Sequence, residues 1–175
     1  MDRFACMEKT KFLGREFLLW LWYCEEQSPD TLQGFLPEGS SDEELRIFLD
    51  NKIIFEPLLA MGDRYSLSGE EPSTSPEAAY ALQLNKIPSE VKLKVVRGDR
   101  GWSLAIKGDD LQIRSLKIPK VLSPHEEEHF SERMYLLDEI EDVLQSVFVG
   151  FVRLRISAAW ALTRQAIQQW IEQKV

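Results

Sequence analysis

Five consecutive residues match a catalytic pattern letter for letter: His125-Glu126-Glu127-Glu128-His129 reads H-E-x-x-H. In that pattern two histidines one helical turn apart hold a zinc ion, and the glutamate activates the attacking water. The surroundings argue against this chemistry. The motif follows Ser123-Pro124 at an exposed helix start, its central Glu127 and Glu128 are charged, and the chain has no third histidine. Acidic residues suit a first helical turn for electrostatic reasons alone. No nucleophile arrangement offers an alternative, because the chain contains no GxSxG, GxxxxGK[ST] or GxGxxG segment. Its two cysteines, Cys6 and Cys24, form no CxxC pair and suit a reducing compartment. The expectation is therefore a chain with no catalytic residues, no metal and no cofactor, and a zinc hydrolase is the least favoured reading.

The other residues able to do chemistry are cations. The whole chain carries a net charge of −8, which by itself disfavours a phosphate-binding surface. The charge is uneven, however. Between Lys86 and Lys120 stand Lys86, Lys92, Lys94, Arg97, Arg100, Lys107, Arg114, Lys117 and Lys120 against only Glu90, Asp99, Asp109 and Asp110. That stretch is +5 and the remainder −13. Within it Val91, Leu93, Val95, Trp102, Leu104, Ile106, Leu111 and Ile113 alternate with polar residues, so a strand reading turns one side inward. Lys92, Lys94, Lys107 and Arg114 then fall on the other side, and Arg97 and Arg100 at the intervening turn extend the strip. Cations gathered on one sheet face can track a phosphate backbone. Strand faces are also Lys-rich simply to keep a sheet soluble, and no exposed aromatic residue is interleaved with these cations to stack on bases.

The elements that must position this strip can be read from periodicity. Residues 11–26 form a helix that is apolar on nearly all sides in its middle, with Trp20 and Trp22 as core residues. It ends before Ser28-Pro29-Asp30. Residues 45–49, 52–55 and 64–68 read as short strands separated by turns at Asp50-Asn51 and Gly62-Asp63. Ser75-Pro76 opens a short helix with Ser75 as N-cap. A three-strand meander follows, turning at Gly98-Asp99 and Gly108-Asp109-Asp110. Ser123 and Glu126 read as a capping box that starts a long amphipathic helix, and a further helix begins near Ser157.

The fold class expected is α+β: an antiparallel β-meander sheet of six short strands, covered by an N-terminal aromatic helix and a long C-terminal helix pair. Residues 1–175 form a single domain, with helix and sheet core in 11–122. The helices in 123–175 are candidates for an arm that docks a protein partner or a second copy. The apolar run around Trp20 is much shorter than the about 20 residues that a membrane span needs. No small-residue cleavage site follows it, so the chain reads as cytoplasmic and without membrane contact.

Several blocks resemble the C-terminal half of RdgC-type recombination-associated proteins. The first is Phe12-Leu13-Gly14-Arg15-Glu16-Phe17-Leu18-Leu19-Trp20-Leu21-Trp22-Tyr23. It is followed in order by Leu116-Lys117-Ile118-Pro119, Glu132-Arg133-Met134-Tyr135-Leu136-Leu137 and Leu154-Arg155-Ile156-Ser157-Ala158-Ala159-Trp160. The resemblance implies a non-enzymatic DNA-binding protein acting in recombination as a ring-like homodimer around duplex DNA. It also implies that the N-terminal half of full-length members is missing from this chain. None of these blocks supplies a binding motif, so the candidate nucleic-acid-binding residues (Lys92, Lys94, Arg97, Arg100, Lys107 and Arg114) rest on strand alternation. The alternative is a protein–protein interaction module that docks through its C-terminal helices and has no nucleic-acid role.

Overall fold

The computed structural model describes residues 3–37, 43–57 and 62–174, with side chains from Lys11 onward. Helix α1 (Arg3–Gln27) starts earlier than its apolar period. Phe17, Leu18, Trp20, Leu21, Trp22 and Cys24 are all buried, as a helix without a polar side requires. Proline at position 29 ends it, and a single turn, α2 (Asp30–Gln33), follows.

Five strands form one antiparallel sheet in the order β2-β1-β3-β4-β5. They are β1 (Leu45–Pro57), β2 (Tyr65–Ser68), β3 (Lys86–Arg97), β4 (Arg100–Lys107) and β5 (Gln112–Lys117). The expected turn at Asp50-Asn51 is instead an irregularity within one long strand. β1 pairs Leu49 with Leu93 and Ile53 with Val91, so it uses more residues than β3 between the same two rungs. Because both halves of β1 pair with the same long β3, a bulge absorbs the surplus and the ladder continues. Five strands therefore replace the expected six.

The expected meander is present, with Gly98 at φ +59° in the β3–β4 turn. Helix α3 (Pro76–Gln83) begins as its sequence dictates: the Ala78 N–H donates to Ser75 Oγ at 3.2 Å, and Pro76 sits at the first helical position.

The capping box at Ser123 does not form. Helix α4 (Glu126–Arg155) starts one residue after His125, and the backbone N–H groups of Leu122 and Ser123 instead donate to Glu132 at 3.0 and 2.9 Å. A carboxylate from the second turn satisfies the approaching chain, so the reciprocal Ser–Glu exchange is not needed.

Helix α5 (Trp160–Gln173) meets α4 at 105°. The two helices are no detached arm. Leu136, Ile140, Val143, Val147, Phe151, Ile167 and Trp170 join the same buried cluster as α1 and the inner face of the sheet. Trp102 on β4 donates its indole N–H to the Leu136 carbonyl at 3.0 Å. Among the described residues, no single helix is long and apolar enough to cross a membrane.

A polar clamp fixes α1 to the sheet. Gly14 approaches the β4–β5 turn so closely that an added Cβ would lie 1.8 Å from the Gly108 oxygen. The neighbouring Arg15 is 2% exposed; its guanidinium donates to Asp109 at 2.6 Å, to Glu56 at 2.5 Å and to the Pro57 carbonyl at 3.2 Å. Lys11 adds a second cation 3.4 Å from Asp109. Burial opposes the charge on Asp109, but Arg15 and Lys11 outweigh it and hold the carboxyl below its ordinary range.

Candidate nucleic-acid interface

The pairing registers decide which side chains share a face. Lys94 lies across from Phe48 on β1 and Ser103 on β4, and Ser103 lies across from Lys117 on β5. In the next row Lys92 faces Ala105, which faces Arg114. Lys107 follows between Glu90 and Gln112. Leu93, Val95, Leu104 and Ile106, in the alternate positions, are buried against the helices. Successive strand residues point to opposite sides, so Lys92, Lys94, Lys107 and Arg114 occupy one outer surface.

Their electrostatic settings differ. Lys92 Nζ lies 3.4 Å from Asp50 and donates to Asn51 at 3.2 Å. Lys107 is 3.9 Å from Asp110, and the nearby Lys52 is 3.6 Å from Glu90. Lys94, Arg114 and Lys117 are exposed and have no carboxylate within ion-pair range among the described residues. Arg114 Nε donates to Gln112 Oε1 at 2.9 Å. The electropositive centre is therefore the Lys94–Arg114–Lys117 side of the face, toward the sheet edge at β5.

Arg97 and Arg100 do not join it. Arg97 continues the parity of Leu93 and Val95, and so lies under α4, only 8% exposed. There it meets Glu139 at 3.3 Å, and Arg100, paired across the turn, reaches the other Glu139 oxygen at 2.8 Å and also bonds Glu43. Burial works against the charge of Arg100, yet the Tyr135 hydroxyl, Glu139 and Glu43 outweigh it and raise its pKa. Burial also lifts the Glu139 carboxyl above its ordinary range against the pull of both arginines, so its charge depends on them. The cleft of about 550 Å³ beside them also holds Asp138 and Asp142. Four carboxylates around two guanidinium groups leave no surplus cation for a phosphate.

The zinc-like motif sits at the exposed start of α4. His125 is the N-cap and the His129 ring bonds the Ser123 carbonyl. Among the described residues, no three His, Cys, Asp or Glu side chains are grouped to hold a metal ion. Cys24 is buried and its thiol is pushed up to about 12 by burial, which makes it a poor nucleophile. The Cys6 side chain lies outside the described residues.

Comparison with family models, with curated proteins and with solved structures finds no match.

Three residues on this surface escaped the sequence reading. Arg46 and Phe48 project from β1 between the buried Leu45, Ile47 and Leu49, a parity already visible in the sequence. Phe48 is 37% exposed beside Lys94, so the face does carry an accessible aromatic ring. Lys117 was hidden for a different reason. Ser115 adopts φ +52° and breaks the alternation of β5, so Arg114 and Lys117, three apart, point the same way.

Proposed function

We propose that this chain binds DNA without reading its sequence, through the outer face of its sheet, in a recombination setting like that of the RdgC-type proteins it resembles. The observation that carries this reading is the register: cations from β3, β4 and β5 share one surface, where Lys94, Arg114 and Lys117 are exposed. Strands two apart are separated by about 10 Å, so Lys94 and Lys117, in one row across β3, β4 and β5, reach separate phosphates. Binding works by replacing condensed counterions, with no chemical step and no cofactor. Phe48 beside Lys94 adds a ring on which an unpaired base can stack.

The test is a titration of random duplex, repeated with single strands, across a salt series. Contacts from Lys94, Arg114 and Lys117 predict a log–log salt slope of about −3. A Lys94→Glu/Arg114→Glu variant abolishes binding on this reading, and duplex binding indifferent to both changes would overturn it.

A second reading is favoured by exposed apolar side chains on the C-terminal helices and in the segment leading into α4. Leu122 is 79%, Phe130 69% and Leu162 72% exposed, and Met134 and Tyr135 lie nearby on α4. A protein partner or second copy of the chain docking there needs no DNA. It predicts no retention on duplex even at low salt, and a mass above the monomer by light scattering if the partner is a second copy.

A further inference from the structure

The end of α1, the 3-10 turn Pro72–Thr74 and the end of α5 converge on one ammonium group. Lys174 Nζ lies 4.7 Å from the Trp22 ring centroid and 4.8 Å from that of Trp170. The two indoles stand at 85° with their centroids 5.4 Å apart, so they wall the cation on two sides. Glu26 closes a third side: its Oε1 is 2.8 Å from Nζ. The same carboxylate accepts the indole N–H of Trp22 at 2.6 Å and of Trp170 at 2.9 Å, which fixes both rings face-on to the cation. The Ser73 carbonyl accepts a fourth contact at 3.3 Å.

Lysine ordinarily keeps its head in water, yet this side chain is only 12% exposed. The surroundings are acidic: Glu26 and Glu71 both act on Glu25, and Lys174 opposes them. Two aromatic faces and a carboxylate around a desolvated cation are the chemistry that recognises alkylammonium groups. The occupant is held at its backbone, so only its side chain has to move for the ammonium to leave the cage. Lys174 has left the helix, with extended backbone angles of φ −68° and ψ 124°. Its carbonyl is held by the Gln83 amide at 2.9 Å, and its N–H returns to Trp170 and Ile171.

The geometry points to a binding site: Trp22, Trp170 and Glu26 form an alkylammonium cage that Lys174 fills in cis. When Lys174 swings out, the cage takes a lysine-type side chain presented by a partner. The cis lysine acts as a tethered competitor, so an external amine binds weakly until it is withdrawn.

The test uses n-butylammonium chloride as probe, with sodium chloride at matched ionic strength as control. The readouts are the indole N–H resonances of Trp22 and Trp170 and the thermal midpoint. A Lys174→Ala chain shows saturable indole shifts and a rising midpoint with butylammonium, at concentrations roughly tenfold below any response of the parent chain. Adding Glu26→Gln removes the response. Equal responses in parent and Lys174→Ala chains, or none in either, overturn the proposal. If Lys174→Ala does not fold, the parent decides: ring currents from two indoles must move the Lys174 Cε protons far upfield, and free-lysine positions would refute the cage.

Discussion

Lys94 and Arg97 stand three residues apart on β3 and live under opposite conditions. Arg97 faces inward, is 8% exposed and meets Glu139 at 3.3 Å, while Lys94 faces outward and has no carboxylate within ion-pair range among the described residues. The same contrast separates Arg15, gripped by Asp109 and Glu56, from Arg114, whose guanidinium finds only Gln112 among the described residues. On the inner side a cation is an internal structural part whose charge is cancelled. On the outer side, at Lys94 and Arg114, no described carboxylate lies within ion-pair range to cancel it. Counting cations along the sequence adds the two populations together, whereas strand parity separates them.

The contrast can be broken from the inner side first. Arg15→Met leaves Asp109 and Glu56 facing each other's surroundings without their shared cation. A loss of about 3 kcal/mol is expected in urea unfolding, at the low end for a broken buried pair because both carboxylates touch water. Glu139→Ala strands Arg97 under α4, where its Nε already lacks an acceptor, and should cost about 2 kcal/mol. Joint replacement of Arg97 and Glu139 by Met and Leu should recover much of that, as a double-mutant cycle would show.

A carboxylate with no cation in ion-pair range among the described residues sharpens the comparison; Lys174 acts on it only from farther away. Glu25 is half-buried against β1, its Oε2 has no hydrogen-bond partner among the described residues, and burial pushes its pKa from 4.5 up to about 7, helped by Glu26 and Glu71. Its native state holds a proton that the unfolded chain has lost, so stability is fullest below pH 4.5 and falls as pH rises through about 7. Glu25→Gln should flatten that window in denaturation curves collected from pH 4 to pH 8, and an unchanged slope would contradict it.

The smallest effects on stability belong outside. Lys94→Ala and Arg114→Ala should each shift unfolding by less than about 0.5 kcal/mol. Each should nonetheless reduce the salt slope of duplex binding by about 1. If Arg97→Ala and Arg100→Ala weakened binding more than these two, the division between faces would not describe the function.

Much of the fold was legible because apolar period and turn chemistry agree. Ser75-Pro76 starts α3 as its residue types demand, and the alternation from Val91 to Ile106 built the right meander. What failed was decided by tertiary context. Asp50-Asn51 looks like a turn, and only the length of β3 turns it into a bulge. Ser123 looks like a cap, but a glutamate nine residues on takes its N–H. The shared outer face was legible where parity was followed, at Lys92, Lys94, Lys107 and Arg114. It was misread where turn position was put ahead of parity, at Arg97, and where a left-handed serine reset the phase, at Lys117.

The contact between Gly14 and Gly108 leaves α1 a single seat on the sheet. One residue inserted ahead of Gly14 in the helix would turn everything before it by about 100° relative to everything after. One inserted between Gly14 and Trp22 would force a choice between the glycine seat and the burial of the indoles. Length changes in this chain are therefore tolerable in its loops but not between residues 14 and 22, and a deletion scan across α1 should show a sharp forbidden window there rather than a gradual decline.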